Sequence, residues 1–312
     1  MDNGENNIAI QIKNLTKTYK NGVNALSGVD LEISAGEFFA LLGVNGAGKS
    51  TIIGILTDLV VKSSGTVNVF GTSIDDNFSY VKSLIGVVPQ EFNFDQFATC
   101  LDVVVNQAGY YGIPIKEAVL KAKSVLSRLG LGDKINLKSR SLSGGMKRRL
   151  MIAKALVHNP KILILDEPTA GVDVDLRIGM WNYLKEINQN GTTILLTTHY
   201  LEEVEQLCTR AAILKGGKIV LQNTVKNLLS SLEKETYIIE VKIELKDKNV
   251  FEKMDRKYEI QIIDPFTISC SLAKGDSLNS LINQLTECGI VISGIGPRGN
   301  RLEELFINTI KN

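Results

Sequence analysis

The stretch FFALLGVNGAGKSTIIGIL, Phe38 to Leu56, decides the fold. It opens with an apolar run of strand length and closes with an apolar run of helical character. Between them GVNGAGKS, Gly43 to Ser50, fits the pattern GxxxxGK[ST]. A glycine-rich turn in that setting lets backbone N–H groups converge on an anion, and the positive end of the following helix dipole adds to the attraction. The phosphate-binding set is therefore Gly43, Val44, Asn45, Gly46, Ala47, Gly48, Lys49, Ser50 and Thr51. Lys49 is placed for the β- and γ-phosphates of ATP. The Ser50 hydroxyl is placed for Mg²⁺, the hard cation that accompanies them.

Further along the chain, ILILDEP puts Asp166 and Glu167 at the carboxyl end of a second buried strand, where open α/β sheets hold their ligands. Asp166 suits Mg²⁺, directly or through water, and Glu167 suits the polarisation of a water attacking the γ-phosphorus in line. A third buried strand, Thr193 to Leu196, leads to His199. From Ile8 to about Leu229, short apolar runs alternate with amphipathic stretches, the pattern of a mainly parallel sheet flanked by helices. Between about 97 and 158 the strand signals fade. Ile115 to Leu129 and Gly145 to Val157 carry helical spacing there, which predicts a helical subdomain. The expected division is a nucleotide-binding domain over 1–231 and a small α+β domain over 232–312. In the latter, strands are expected at Tyr237 to Leu245, Tyr258 to Ile263 and Ile290 to Ile295, and helices at Asp276 to Glu287 and Arg301 to Lys311.

Composition removes several classes. With 35 Lys and Arg against 34 Asp and Glu, the chain lacks the basic footprint of a nucleic-acid binder, so none is expected as a partner. No run of 18 or more apolar, uncharged residues is present to span a bilayer, and the acidic, Asn-rich start MDNGENNIAIQI is unlike a signal peptide. A cytoplasmic protein is expected. The cysteines, Cys100, Cys208, Cys270 and Cys288, stand far apart and read as reduced core fillers.

The motifs together resemble the ATP-binding subunits of ATP-binding cassette (ABC) transporters over about residues 8 to 230. LSGGM, Leu142 to Met146, is similar to that family's signature motif, and Gln90 in VVPQ, Asp173 in AGVD, His199 in TTHY and Tyr19 in LTKTYKNG fall in the family's order. Ser143 is a good N-cap, and Gly144 and Gly145 expose N–H groups at a helix start, so this segment forms a second anion site. Because the loop at Gly43 to Ser50 already serves one nucleotide, the second site makes sense for ATP held by another copy. The family's head-to-tail dimer has that arrangement. Met146 stands where the family more often has Gln.

The resemblance implies a P-loop NTPase fold with a RecA-like core, an antiparallel N-terminal β-subdomain and a helical subdomain. It further implies that His199 contacts the γ-phosphate and keeps Glu167 in register, and that Gln90 touches both Mg²⁺ and the attacking water. Tyr19 offers a face for adenine, or serves as a core residue. His158 reads only as a helix end. ATP binding and hydrolysis would drive association of two copies and move separate transmembrane subunits, with this chain peripheral on the cytoplasmic face of the membrane. The wording of the motifs is most similar to the drug- and polysaccharide-export branch (ABC-2 type), and closely to its YadG-type members. A soluble ABC ATPase acting on ribosomes or DNA would show two cassettes or a long coiled-coil insertion, and a non-catalytic sensor would not need both Glu167 and His199.

Overall fold

The computed structural model describes residues 7–169, 174–230, 234–245, 251, 254, 258–273, 275–297 and 301–311. The chain forms two compact units, one running to Val225 and the other from Lys226. The first runs β1 (Ile8–Thr18), β2 (Asn24–Ser34), β3 (Phe38–Leu42), α1 (Lys49–Leu56), β4 (Ser64–Val69), β5 (Thr72–Ser73), α2 (Phe78–Leu84), β6 (Ile85–Val88), α3 (Cys100–Tyr110), α4 (Ile115–Arg128), α5 (Gly144–Leu156), β7 (Ile162–Asp166), α6 (Val174–Gln189), β8 (Thr193–Thr197), α7 (Leu201–Leu207), β9 (Arg210–Lys215) and β10 (Lys218–Thr224). Helix α8 (Val225–Ser230) follows.

Strands β3 and β8 are buried along their whole length, which is why they read as unbroken apolar runs rather than alternating ones. They lie inside a six-stranded sheet of order β10-β9-β3-β8-β7-β6, parallel from β9 to β6. In register, Leu41 pairs with Thr197, Thr197 with Asp166 and Leu165 with Val88. The segments after β3, β6, β7 and β8 consequently leave from one edge, and that edge carries the site.

The expected N-terminal antiparallel sheet is β2-β1-β4-β5. Its apolar face, including Ile10, Ile12, Leu31 and Ile33, shares a core with Phe39 and Leu41 of β3 and with α1. Seven of the eight α1 residues are buried. Ile52, Ile53, Ile55 and Leu56 leave the rest of the helix no polar face, and such a helix is stable only when covered; these four residues pack in a core shared by both sheets.

Helices α4 and α5 occupy the predicted spans, and the structure adds α3 before them. The Val103-Val104-Val105 run in α3 favours strand by propensity and hides the helix. A capping box starts it nonetheless: Asp102 N–H donates to Thr99 Oγ1 (3.1 Å) and Thr99 N–H to Asp102 Oδ2 (3.3 Å).

His158 does more than end α5. Its ring stacks on Tyr111 with centroids 3.6 Å apart, and its Nε2 lies 3.2 Å from the Ile85 carbonyl at the start of β6. Burial pushes its pKa down to about 4. The Ile85 bond opposes that shift and the Lys121 charge adds to it. The unfolded chain therefore takes up a proton near pH 6.5 that the folded chain refuses until about pH 4, so stability falls with pH across that window. Between pH 7 and pH 5 the loss should be about 2 kcal/mol. Urea unfolding of His158→Gln at both pH values should lack this increment, and an unchanged pH slope would refute the assignment.

The second unit comprises β11 (Lys234–Val241), β12 (Glu259–Asp264), β13 (Thr267–Ala273), α9 (Leu278–Glu287), β14 (Ile292–Pro297) and α10 (Arg301–Lys311). Its sheet, β12-β13-β11-β14, is antiparallel throughout. Ile239, Val241, Ile268, Cys270 and Leu272 form its core with Leu281 and Leu285 of α9. Strand β13 goes beyond the sequence expectation, although Ile268-Ser269-Cys270-Ser271-Leu272 alternates as a half-buried strand should. All four cysteines are free thiols.

Candidate functional site

The Gly43–Ser50 loop takes its conformation because two of its positions have no room for a side chain. A Cβ on Gly43 would lie 2.6 Å from the Leu214 carbonyl oxygen, and one on Gly48 would lie 2.7 Å from that of Ala25. Gly48 also has φ +114°, and Gly46 φ +80°, both in the left-handed region. Helix α1 starts at Lys49 with Gly48 at its N-cap and no side-chain cap, so the helix start is open to an external acceptor. Lys49 Nζ donates to the carbonyls of Gly43 (2.7 Å) and Val44 (3.2 Å). Burial lowers the pKa of this lysine, and the facing charges of Glu167 and Asp166 oppose that shift.

At the carboxyl edge of the sheet, Asp166 ends β7 and Oδ1 accepts a hydrogen bond from the Thr197 hydroxyl. Glu167 follows at φ +49°, an uncommon conformation for a residue with a Cβ, held by its N–H bond to the Thr197 carbonyl (2.9 Å). This bend turns its side chain into the cleft, where it is 14% exposed. Gln90 Nε2 donates to Glu167 Oε2 at 2.9 Å, and His199 Nδ1 lies 3.2 Å from Oε1. One carboxylate is thus fixed by two side chains from two different loops.

These groups face a single cleft of about 680 Å³, walled by Tyr19, Asn45, Gly46, Gly48, Lys49, Ser50, Thr51, Gln90, Asp166, Glu167 and His199, with Val23 and Ala25. Tyr19 is half-buried, and its hydroxyl lies 3.2 Å from Thr51 Oγ1. Gly43, Val44 and Ala47 belong to the loop but not to the wall. Ser143, Gly144 and Gly145 do not line the cleft either. Ser143 and Gly144 are exposed at the start of α5, where Ser143 Oγ caps the helix by accepting from Met146 N–H (3.3 Å). Asp173 lies outside the described residues.

Three contributors carry no local motif. Thr197 matters because β7 and β8 pair in register with Asp166 opposite it. Glu203 of α7 is wholly buried and accepts hydrogen bonds from the Thr169 hydroxyl and from Trp181 Nε1 (3.3 Å), which anchors the segment just after Glu167. Arg148 of α5 donates from Nη1 to the Pro89 carbonyl (2.8 Å) and from Nη2 to the Gln90 carbonyl (2.9 Å). Their partners lie tens of residues away, beyond the reach of any periodicity.

Ser50, Gln90 and Asp166 bring a hydroxyl, an amide and a carboxylate to the same cleft. Oxygen donors of that kind, few in number, suit a hard cation that keeps waters and phosphate oxygens as its other ligands. Among the described residues no cluster of three His, Cys, Asp or Glu is arranged to hold a metal by itself, and no helix is long and apolar enough to cross a membrane.

Residues 26–170 match the ABC transporter family model. The chain is similar to the linearmycin resistance ATP-binding protein LnrL of Bacillus subtilis, with 38% identity over 73% of each chain. It is also similar to the Nod factor export ATP-binding protein I of Rhizobium etli, with 37% identity over 72% of this chain and 71% of the relative. Among solved structures it resembles the dimeric post-hydrolysis state of an ATP-binding cassette bound to ADP and Pi. The TM-score is 0.64 at 30% identity, covering 69% of this chain and 98% of the other.

Proposed function

The chain belongs to the ABC transporter family as an ATP-binding, ATP-hydrolysing subunit, and on that premise we propose how its residues divide the work. Lys49 supplies the point charge for the β- and γ-phosphates, and the backbone of Gly43 to Ser50 with the start of α1 supplies N–H donors. The Tyr19 ring, at the rim of the cleft, stacks on adenine. Ser50, Asp166 and Gln90 would hold Mg²⁺, which when bound neutralises charge on the β- and γ-phosphate oxygens. Glu167 takes the proton of a water whose oxygen attacks the γ-phosphorus as the bond to the β,γ-bridging oxygen breaks. His199 and Gln90 fix that carboxylate, and His199 also reaches the γ-phosphate. Asp173 completes the nucleotide-binding set.

The observation that carries this reading is the split between the two anion sites. Lys49, Asp166 and Glu167 share a cleft, while Ser143, Gly144 and Gly145 lie outside it, with Ser143 and Gly144 exposed. The Ser143 helix therefore receives the γ-phosphate of ATP held by a second copy, and two copies close head to tail around two nucleotides. Hydrolysis removes the bridge, and the closing and opening move separate transmembrane subunits that dock near Gln90 and helices α3 to α5. The chain works on the cytoplasmic face of the membrane. Resistance and export are named for its relatives, so export is the direction we assign.

Complementation tests the shared sites. Lys49→Ala and Ser143→Arg should each be inactive alone. A mixed dimer keeps one intact site, formed by Lys49 of the Ser143→Arg copy and Ser143 of the Lys49→Ala copy. Equal mixing should restore measurable turnover, at most about a quarter of wild type, since half the dimers are mixed and each has one good site of two. No recovery on mixing would contradict the arrangement.

A further inference from the structure

Arg148 is only 3% exposed, although it carries a guanidinium. Its hydrogen bonds go to two consecutive carbonyls, Pro89 and Gln90, in the segment leaving β6, and its guanidinium carbon lies 5.1 Å from the centre of the Phe92 ring. A planar fork holds the two carbonyls from two separate nitrogens in fixed directions, whereas an ammonium offers one rotatable nitrogen on a shorter stem. On the same helix Lys154 Nζ donates to the Asn93 carbonyl (3.1 Å) and to Asn93 Oδ1 (3.0 Å). Four acceptors between Pro89 and Asn93 are thus tied to α5.

The Gln90 side chain points to the other partner. Its backbone is held by Arg148, and its Nε2 holds Glu167 at 2.9 Å. Helix α5 has Ser143 at its N-cap, little more than one turn before Arg148. A continuous chain of contacts therefore runs from Ser143 through the helix and the Arg148 guanidinium to Gln90 and then to the Glu167 carboxylate. The facing charges of Asp166 and Glu167 favour the Arg148 cation against its burial, which lowers its pKa. Two ends of this chain belong to different nucleotide sites in the reading above: Glu167 acts on this copy's own ATP, and Ser143 meets the ATP held by the other copy.

We propose that Arg148 is a positioning residue that couples the two nucleotide sites: it fixes Gln90 to the Ser143 helix, so that Glu167 is held most firmly when that helix is seated on the second ATP. This rests on the reading of Glu167, Gln90 and the shared sites given above. An energetic link between two binding sites is what cooperativity requires, and the Arg148 fork is a physical element that both sites bias.

The test compares steady-state MgATP hydrolysis by wild type, Arg148→Ala, Arg148→Lys, Gln90→Ala and the double variant Arg148→Ala with Gln90→Ala. Loss of the fork should lower kcat on the order of tenfold and bring the Hill coefficient for ATP towards 1, while KM stays within about twofold. Arg148→Lys, which keeps the charge but replaces the two-nitrogen fork with one nitrogen on a shorter stem, should fall between. If Arg148 acts through Gln90, the double variant should be no slower than Gln90→Ala by more than about twofold. Deficits that multiply, or wild-type kcat and cooperativity in Arg148→Ala, would overturn the proposal. Should thermal melting show that Arg148→Ala does not fold, Arg148→Lys decides by the same criteria. Glu167→Gln in the same assay separates the two levels: turnover there would sink the underlying reading, whereas its loss beside a normal Arg148→Ala sinks only the coupling.

Discussion

Glu167→Gln is expected to lower ATP turnover by roughly 10²- to 10⁴-fold, the range for removal of a positioned general base. The substitution preserves volume and the Cβ that already tolerates φ +49°, so the loop after β7 should keep its path. The amide oxygen can still accept from Gln90 Nε2, which now bonds Oε2 at 2.9 Å. What disappears is a group able to take a proton from water. Phosphate release at saturating ATP measures the loss, and fluorescence titration should give a nucleotide affinity within about threefold of wild type, because no phosphate contact has been removed. Near-normal turnover would mean that another group is the base.

Lys49→Ala should act on the other side of the kinetic scheme. Its ammonium is nearly buried at the start of α1, and Lys49 is the lysine that lines the cleft. Removing one partner of a desolvated, hydrogen-bonded charge pair costs several kcal/mol, so ATP should bind on the order of a hundredfold more weakly. The Gly43 and Val44 carbonyls also lose a donor, which should cost about 1–2 kcal/mol of stability without nucleotide. Melting in the absence of ATP isolates that second effect. Wild-type affinity in a folded Lys49→Ala protein would remove Lys49 from the phosphate site.

The nucleotide cleft was legible in the sequence because its constraints are local. Gly43 and Gly48 cannot carry a Cβ, which would lie 2.6–2.7 Å from other backbone oxygens, so the motif spells out the turn. Strands β3 and β8, buried on both faces, cannot disguise themselves as polar. Helix α3 was obscured because three consecutive valines outvote a Thr99–Asp102 cap. The cap decides the start of the helix, and packing of Cys100, Val103, Val104 and Ala108 decides the rest. Contacts such as Arg148 to Pro89 and Gln90, or Thr197 to Asp166, join residues 59, 58 and 31 positions apart and exist only once the sheet and α5 are assembled. Ser143 stands between these cases. Its role as an N-cap is plain from LSGGM, yet its absence from the cleft wall needed the folded chain.

The most direct measurement of the shared-nucleotide account is analytical ultracentrifugation of Glu167→Gln with saturating MgATP. Blocked hydrolysis should leave the nucleotide in place, so the protein should sediment as a pair of copies, return to single copies in ADP, and remain single in ATP when Ser143→Arg is added. A Glu167→Gln protein that binds ATP yet sediments only as single copies would contradict it.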